Sequence, residues 1–195
     1  MTRAEDTPEA VLAHLAPYAS IFHECWERAI AEARDNFPLL GTSRPTFEPW
    51  LFAHLARWAF KRHLAEQLPP GTPIIVDGKT IMSSVIVRLD DMVIRFRKSE
   101  PGEVPPAGSS TKMQGWYAQT LDGGVERNLL ALWHVDDALA YTGLDLAFPS
   151  GGTAYTPITR WVVPLVARAG VRDDLPITRP RQVDMPEAEG GDSQS

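Results

Sequence analysis

Residues 73–98, PIIVDGKTIMSSVIVRLDDMVIRFRK, constrain this chain more than any other stretch. They read as three strands joined by two tight turns. Asp77-Gly78 lies between apolar runs, and a type I′ turn needs two residues that tolerate positive φ. That turn sets Val76 opposite Lys79 and Ile74 opposite Ile81. A second two-residue turn at Asp90-Asp91 pairs Leu89 with Met92, Val87 with Ile94 and Val85 with Phe96. Alternate residues of a strand share a face, so these six side chains form one core surface. The opposite face carries Ser84, Ile86, Arg88, Val93, Arg95 and Arg97. It is amphipathic and basic: either a solvated outer face whose arginine stems cover apolar atoms, or a surface for an anion or a partner.

The charge distribution keeps the second reading open. The chain is acidic, with net charge −6, but unevenly so. Residues 1–50 carry net −4, residues 51–112 net +3 and residues 113–195 net −5. The middle is the only basic segment, and it falls far short of the dense positive footprint of a dedicated nucleic-acid binder. Arginine heavily outnumbers lysine, and Pro, Ala and Gly are common, a coding bias that weakens any argument from arginine alone.

Before the strands the pattern is helical. Thr7-Pro8-Glu9 combines a cap, a first-turn proline and an acid suited to the dipole. Pro17 should end that helix near Leu15. A second helix from about Tyr18 to Asp35 places Phe22, Trp26, Ile30 and Ala33 on one stripe. After a connection, Thr46 caps a helix running to about Leu68, stopped by Pro69-Pro70. Its apolar positions include Phe47, Leu51, Leu55, Trp58 and Ala65, while His54, Arg57 and Lys61 form a polar stripe. Trp26, Trp50 and Trp58 are most simply core contacts.

After the strands, SEPGEVPPAGSS (99–110) reads as a loop. Ser110 or Thr111 caps a short helix with Met113, Trp116 and Tyr117, ended by Asp122-Gly123-Gly124. NLLALWHV is a buried strand. In LDLAF, Leu144, Leu146 and Phe148 share a face. Ser150-Gly151-Gly152 turns the chain, and Ile158–Leu165 is a last strand that Pro164 marks as an edge. The fold class is therefore α+β: a helical N-terminal half on a mostly antiparallel sheet of five or six strands. We assign residues 1–172 to one domain, with helices over 8–68 and a sheet with one inserted helix over 73–166. Residues 173–195, rich in Pro, Asp, Glu, Gly and Ser, read as a disordered acidic tail.

Most catalytic constellations fail. Asp77-Gly78-Lys79 resembles half of a metal-dependent nuclease site, but a turn already explains it. His134-x-Asp136-Asp137 could bind a metal or serve as acid and base, and it is the weak catalytic candidate; a polar strand end is the preferred explanation. His23 and Cys25 lie on opposite sides of a helix and cannot share a zinc. There is no nucleophile elbow and no phosphate loop. No metal and no cofactor is expected. The single cysteine fits a reducing, cytoplasmic setting, and no apolar run reaches the ~18 residues of a membrane span. Trp116-Tyr117, beside Lys112 and after a flexible loop, is the aromatic pair best placed for exposure, although core packing is the preferred explanation. The leading expectation is a small non-catalytic binding protein. Its surface would combine Arg57, Lys61, Arg88, Arg95, Arg97, Lys98, Lys112, Trp116 and Tyr117, and its partner would be protein or nucleic acid. The alternative is a small effector or toxin-like enzyme acting on nucleic acid or nucleotides.

Overall fold

The computed structural model describes residues 7–36, 49–76, 85–119 and 126–167. Three helices and six strands follow in the order α1 (Pro8–Asn36), α2 (Pro49–Gln67), β1 (Ile75–Val76), β2 (Val85–Leu89), β3 (Met92–Lys98), α3 (Thr111–Tyr117), β4 (Arg127–Val135), β5 (Tyr141–Gly152) and β6 (Pro157–Pro164). The strands lie in sequence order across one sheet. Every pair is antiparallel except β3 and β4, which run parallel. The fold is the expected α+β arrangement, with β6 at an edge.

The inner face of the sheet carries the main core. Val85, Val87, Leu89, Met92, Ile94 and Phe96 all point into it, together with Leu129, Ala131, Trp133, Leu144, Leu146 and Phe148. The Asp90-Asp91 turn has the expected register, Leu89 opposite Met92 and Val85 opposite Phe96. Asp90 sits at φ +52 in its first central position, where two-residue hairpin turns require a left-handed residue. The first turn does not set the expected register: Val76 pairs with Val87 and Ile75 with Arg88. Asp77, Lys79 and the rest of 77–84 lie outside the described residues, as does any nuclease-like reading of them.

Helices α1 and α2 cover this inner face. Thr7 caps α1, its Oγ1 accepting from the Ala10 amide at 3.3 Å. The expected break at Pro17 does not occur, and one helix runs through it. Val11, Leu15, Tyr18, Phe22, Trp26 and Ala33 form a single buried stripe spanning the proline. Burial on both sides outweighs the one hydrogen bond that proline removes. Trp26 is the hub: its ring stacks on Phe60 at 4.1 Å and on Trp133 at 4.7 Å, tying both helices to β4. In α2 the buried residues are Phe52, Ala56, Ala59, Phe60 and Leu64. The expected stripe through Trp58 and Ala65 was rotated around the helix. Leu51 and Leu55 only flank the core, and Trp50 and Trp58 are 60% and 56% exposed. Thr46 and Phe47 are outside the described residues.

A parallel strand pair cannot be closed by a hairpin and needs a crossover. Its described part, residues 99–119, runs over the outer face. There Ile86, Val93, Ala107, Trp116, Tyr117, Leu130, Leu132 and Ala147 form a second, smaller core. Ser110 caps α3 by accepting from the Met113 amide; the expected stop at Asp122-Gly123-Gly124 lies outside the described residues. Strand β5 does not turn at Ser150 but continues to Gly152 through irregular pairing with β6, and the reversal falls at 153–156. The tail assigned to 173–195 also lies outside the described residues.

Candidate functional site

The outer face decides what the basic strand can do. Across it, pairing aligns Ile86, Arg95, Leu130, Ala147 and Val162 in one row. The next row holds Arg97, Leu132, Asp145 and Pro164. The crossover and α3 lie on top of both.

Arg95 is therefore not on an open surface. It is 9% exposed, its guanidinium lies 4.6 Å from the centre of the Trp116 ring, and its Nη1 donates to the Met113 sulfur. Its Nε is buried and has no hydrogen-bond partner among the described residues. Trp116 and Tyr117, for which core packing is the preferred reading over an exposed binding pair, are buried. Both belong to the lid that apolar outer-face residues Ile86, Val93, Leu130 and Leu132 require.

Arg97, two residues on, reaches the rim of that lid. Its Nη1 donates to the Pro106 carbonyl and to the Tyr117 hydroxyl, each at 3.0 Å. Tyr117 in turn donates to the Pro105 carbonyl. Neither Arg95 nor Arg97 forms an ion pair among the described residues. Asp145, in the row of Arg97, is two strand spacings away, roughly 9–10 Å, and is engaged by His134 and the Gly102 amide. Arg57 lies on α2 and donates Nε to the carbonyl of Ala53, one turn back on the same helix. Burial, and then the charge of Arg97, hold the Arg57 and Arg95 guanidiniums below the ordinary arginine value. The Tyr117 hydroxyl is pushed up by burial against the opposing pull of Arg97 and Arg95. Arg95 and Arg97 thus stand two residues apart on the outer face of β3, without a carboxylate partner among the described residues.

The remaining expected binding residues separate from this cluster. Arg88 is neutralised by Glu126 at 2.5 Å. Lys98 pairs with Trp133 and shares the parity of Phe96, which puts it on the opposite face from Arg97. Lys112 is exposed at the start of α3 and Lys61 is half-buried on α2.

The expected His134, Asp136 and Asp137 constellation does not assemble. His134 is 3% exposed. A carbonyl only accepts, so its Nδ1 donates to Ser99 O at 2.8 Å. Its Nε2 lies 3.1 Å from Asp145 Oδ2 but off the line of a hydrogen bond. Asp136 instead folds its own turn, Oδ1 accepting from the Ala138 and Ala140 amides at 2.9 and 2.8 Å. A register shift after His134 separates the two side chains further. Asp137 is exposed. No group of three His, Cys, Asp or Glu that could hold a metal occurs among the described residues. Cys25 is a buried free thiol. His23 is structural: its Nε2 donates to Leu165 O at 2.5 Å and its Nδ1 accepts from the Tyr141 hydroxyl at 2.7 Å. Burial, then Glu27 and Asp145, keep Tyr141 protonated far above neutral pH, so it remains a donor. No helix of the described residues is long and apolar enough to cross a membrane.

Comparison with known proteins adds no relative: no family model, no curated protein and no solved structure matches this chain.

Proposed function

We propose that this chain is a non-catalytic binding protein that takes an anionic partner, protein or nucleic acid, at the Arg97 end of the sheet. One observation carries the reading. Arg97 comes to the surface two residues from Arg95 and, among the described residues, meets only neutral oxygens, Pro106 O and Tyr117 Oη. A protein that needed these cations only for folding would gain by pairing them with carboxylates, as it does for Arg88 and Arg127. Unbalanced charge at a rim favours association with opposite charge. The single buried cysteine is compatible with action in a reducing compartment.

The test is affinity capture from a native extract with full-length protein, wild type against Arg97→Glu, with and without nuclease. A partner held by wild type and lost by the variant supports the reading, and loss on nuclease treatment identifies it as nucleic acid. Identical captures from both proteins would reject it.

A further inference from the structure

The geometry points to a binding site for one compact oxyanion, of the phosphate monoester class, on the Arg97 guanidinium and backed by Arg95. The inference rests on the binding reading above and narrows it from an anionic partner to a single anionic group.

Three observations meet here. First, Arg97 uses one nitrogen, Nη1, for both of its protein contacts. The edge formed by Nε and Nη2 has no protein partner among the described residues. That edge is the planar fork that grips an oxyanion with two parallel hydrogen bonds. The Tyr117 hydroxyl and the Pro106 carbonyl hold the other side of the guanidinium and so fix its plane. Pre-set orientation of this kind lowers the cost of binding.

Second, the cluster is electrostatically incomplete. Arg95 lies beneath Trp116 with a buried, unpartnered Nε. A charge withdrawn from water without a counter-charge is costly. The fold places two arginines at alternate positions of one strand. Each raises the cost of the other, and a bound anion would offset both at once.

Third, the rim favours a small ligand over a long polyanion. Glu100 and Glu103 are exposed on the crossover that also supplies Pro105 and Pro106, and the whole chain is net negative at −6. A nucleic-acid strand would have to pass this acidic margin. One terminal phosphate would not.

The experiment is titration of the full-length protein with inorganic phosphate at constant ionic strength, chloride as the balancing salt, read by calorimetry and melting temperature. Wild type should bind saturably, and at tenfold excess over Kd the melting temperature should rise by about 3–6 °C. Arg97→Gln should bind at least tenfold more weakly. Arg97→Lys, which keeps the charge but not the fork, should fall between. Arg34→Gln, the same charge change on α1, should bind as wild type does. A homopolymeric single-stranded oligonucleotide of equal phosphate concentration should bind no tighter than phosphate itself.

Absence of a saturable phosphate response in wild type overturns the inference, whether or not the variants fold. Equal binding by wild type and Arg97→Gln also overturns it, as does tight binding of the oligonucleotide. If phosphate fails while Arg97→Glu still loses its captured partner, the compact-anion inference falls and the binding reading survives. If phosphate binds at Arg97 while capture is indifferent to Arg97→Glu, the anion site stands and the wider reading falls.

Discussion

Arg95 and Arg97 lie two residues apart on the same face of the same strand, yet one is a core residue and the other a rim residue. Strand parity put both on the outer face, together with Arg88, and this was legible in the sequence. Parity says nothing about what lies on top. Ile86, Val93, Leu130 and Leu132 make that face too apolar to remain open, so α3 closes it and Arg95 is enclosed. A charge reversal at Arg95 would therefore perturb the fold, whereas one at Arg97 acts at the surface. The inner face was fully legible, because all six hairpin side chains of one parity enter the main core. Val87 is central there and fully buried. Val87→Asp would bury an unpaired carboxyl group in place of a methyl pair. Denaturant titration should show a loss of about 4 kcal/mol or more, or the variant should not accumulate in folded form. A loss below about 1 kcal/mol would contradict the central position of β2, since ordinary surface changes stay within that range.

At the scale of elements, errors of sequence reading trace to packing that acts over a distance. Pro17 was expected to end α1, because a proline inside a helix removes a hydrogen bond and crowds the preceding turn. The helix continues since Val11 and Leu15 before it, and Tyr18 and Phe22 after it, bury along one stripe. Pro17→Ala should restore the bond to the Ala13 carbonyl and raise stability by roughly 1–3 kcal/mol. A fall in melting temperature would instead show that the proline shapes the helix to the core. Trp58 was placed on the wrong side of α2 because two interleaved apolar series, 51-55-58 and 52-56-60, share that helix. Only contact with Trp26 and Phe96 selects the second. The parallel pairing of β3 with β4 has no local signal at all; the length of the crossover was its only trace. Glycine use in the β5–β6 hairpin gives a sharper test. Gly152 has φ +111, and a Cβ there would stand 2.2 Å from the Thr156 carbonyl oxygen. Gly108 has φ +74 but open space around the same position. Gly108→Ala should cost roughly 1 kcal/mol of backbone strain, and Gly152→Ala clearly more, as measured by paired thermal melts. Equal costs would mean that the hairpin yields readily at 152–156.

For the molecule as a whole, one sheet separates two cores of unequal kind. The larger, between the sheet and α1 and α2, is apolar and rich in stacked aromatic rings. The smaller, under α3, encloses a guanidinium that no carboxylate balances among the described residues. Under the proposed anion site, such an arrangement would trade stability for recognition. If the Arg95 charge is retained for an anion, an apolar residue of similar length should suit the unliganded protein at least as well. The most direct measurement is therefore the melting temperature of wild type and Arg95→Met, each with and without saturating inorganic phosphate at matched ionic strength. The account predicts that Arg95→Met melts at or above the wild-type temperature without phosphate and gains less than half of the wild-type shift on adding it. An Arg95→Met protein that melts well below wild type and responds to phosphate as strongly would contradict it, because Arg95 would then be a structural residue with no part in holding an anion.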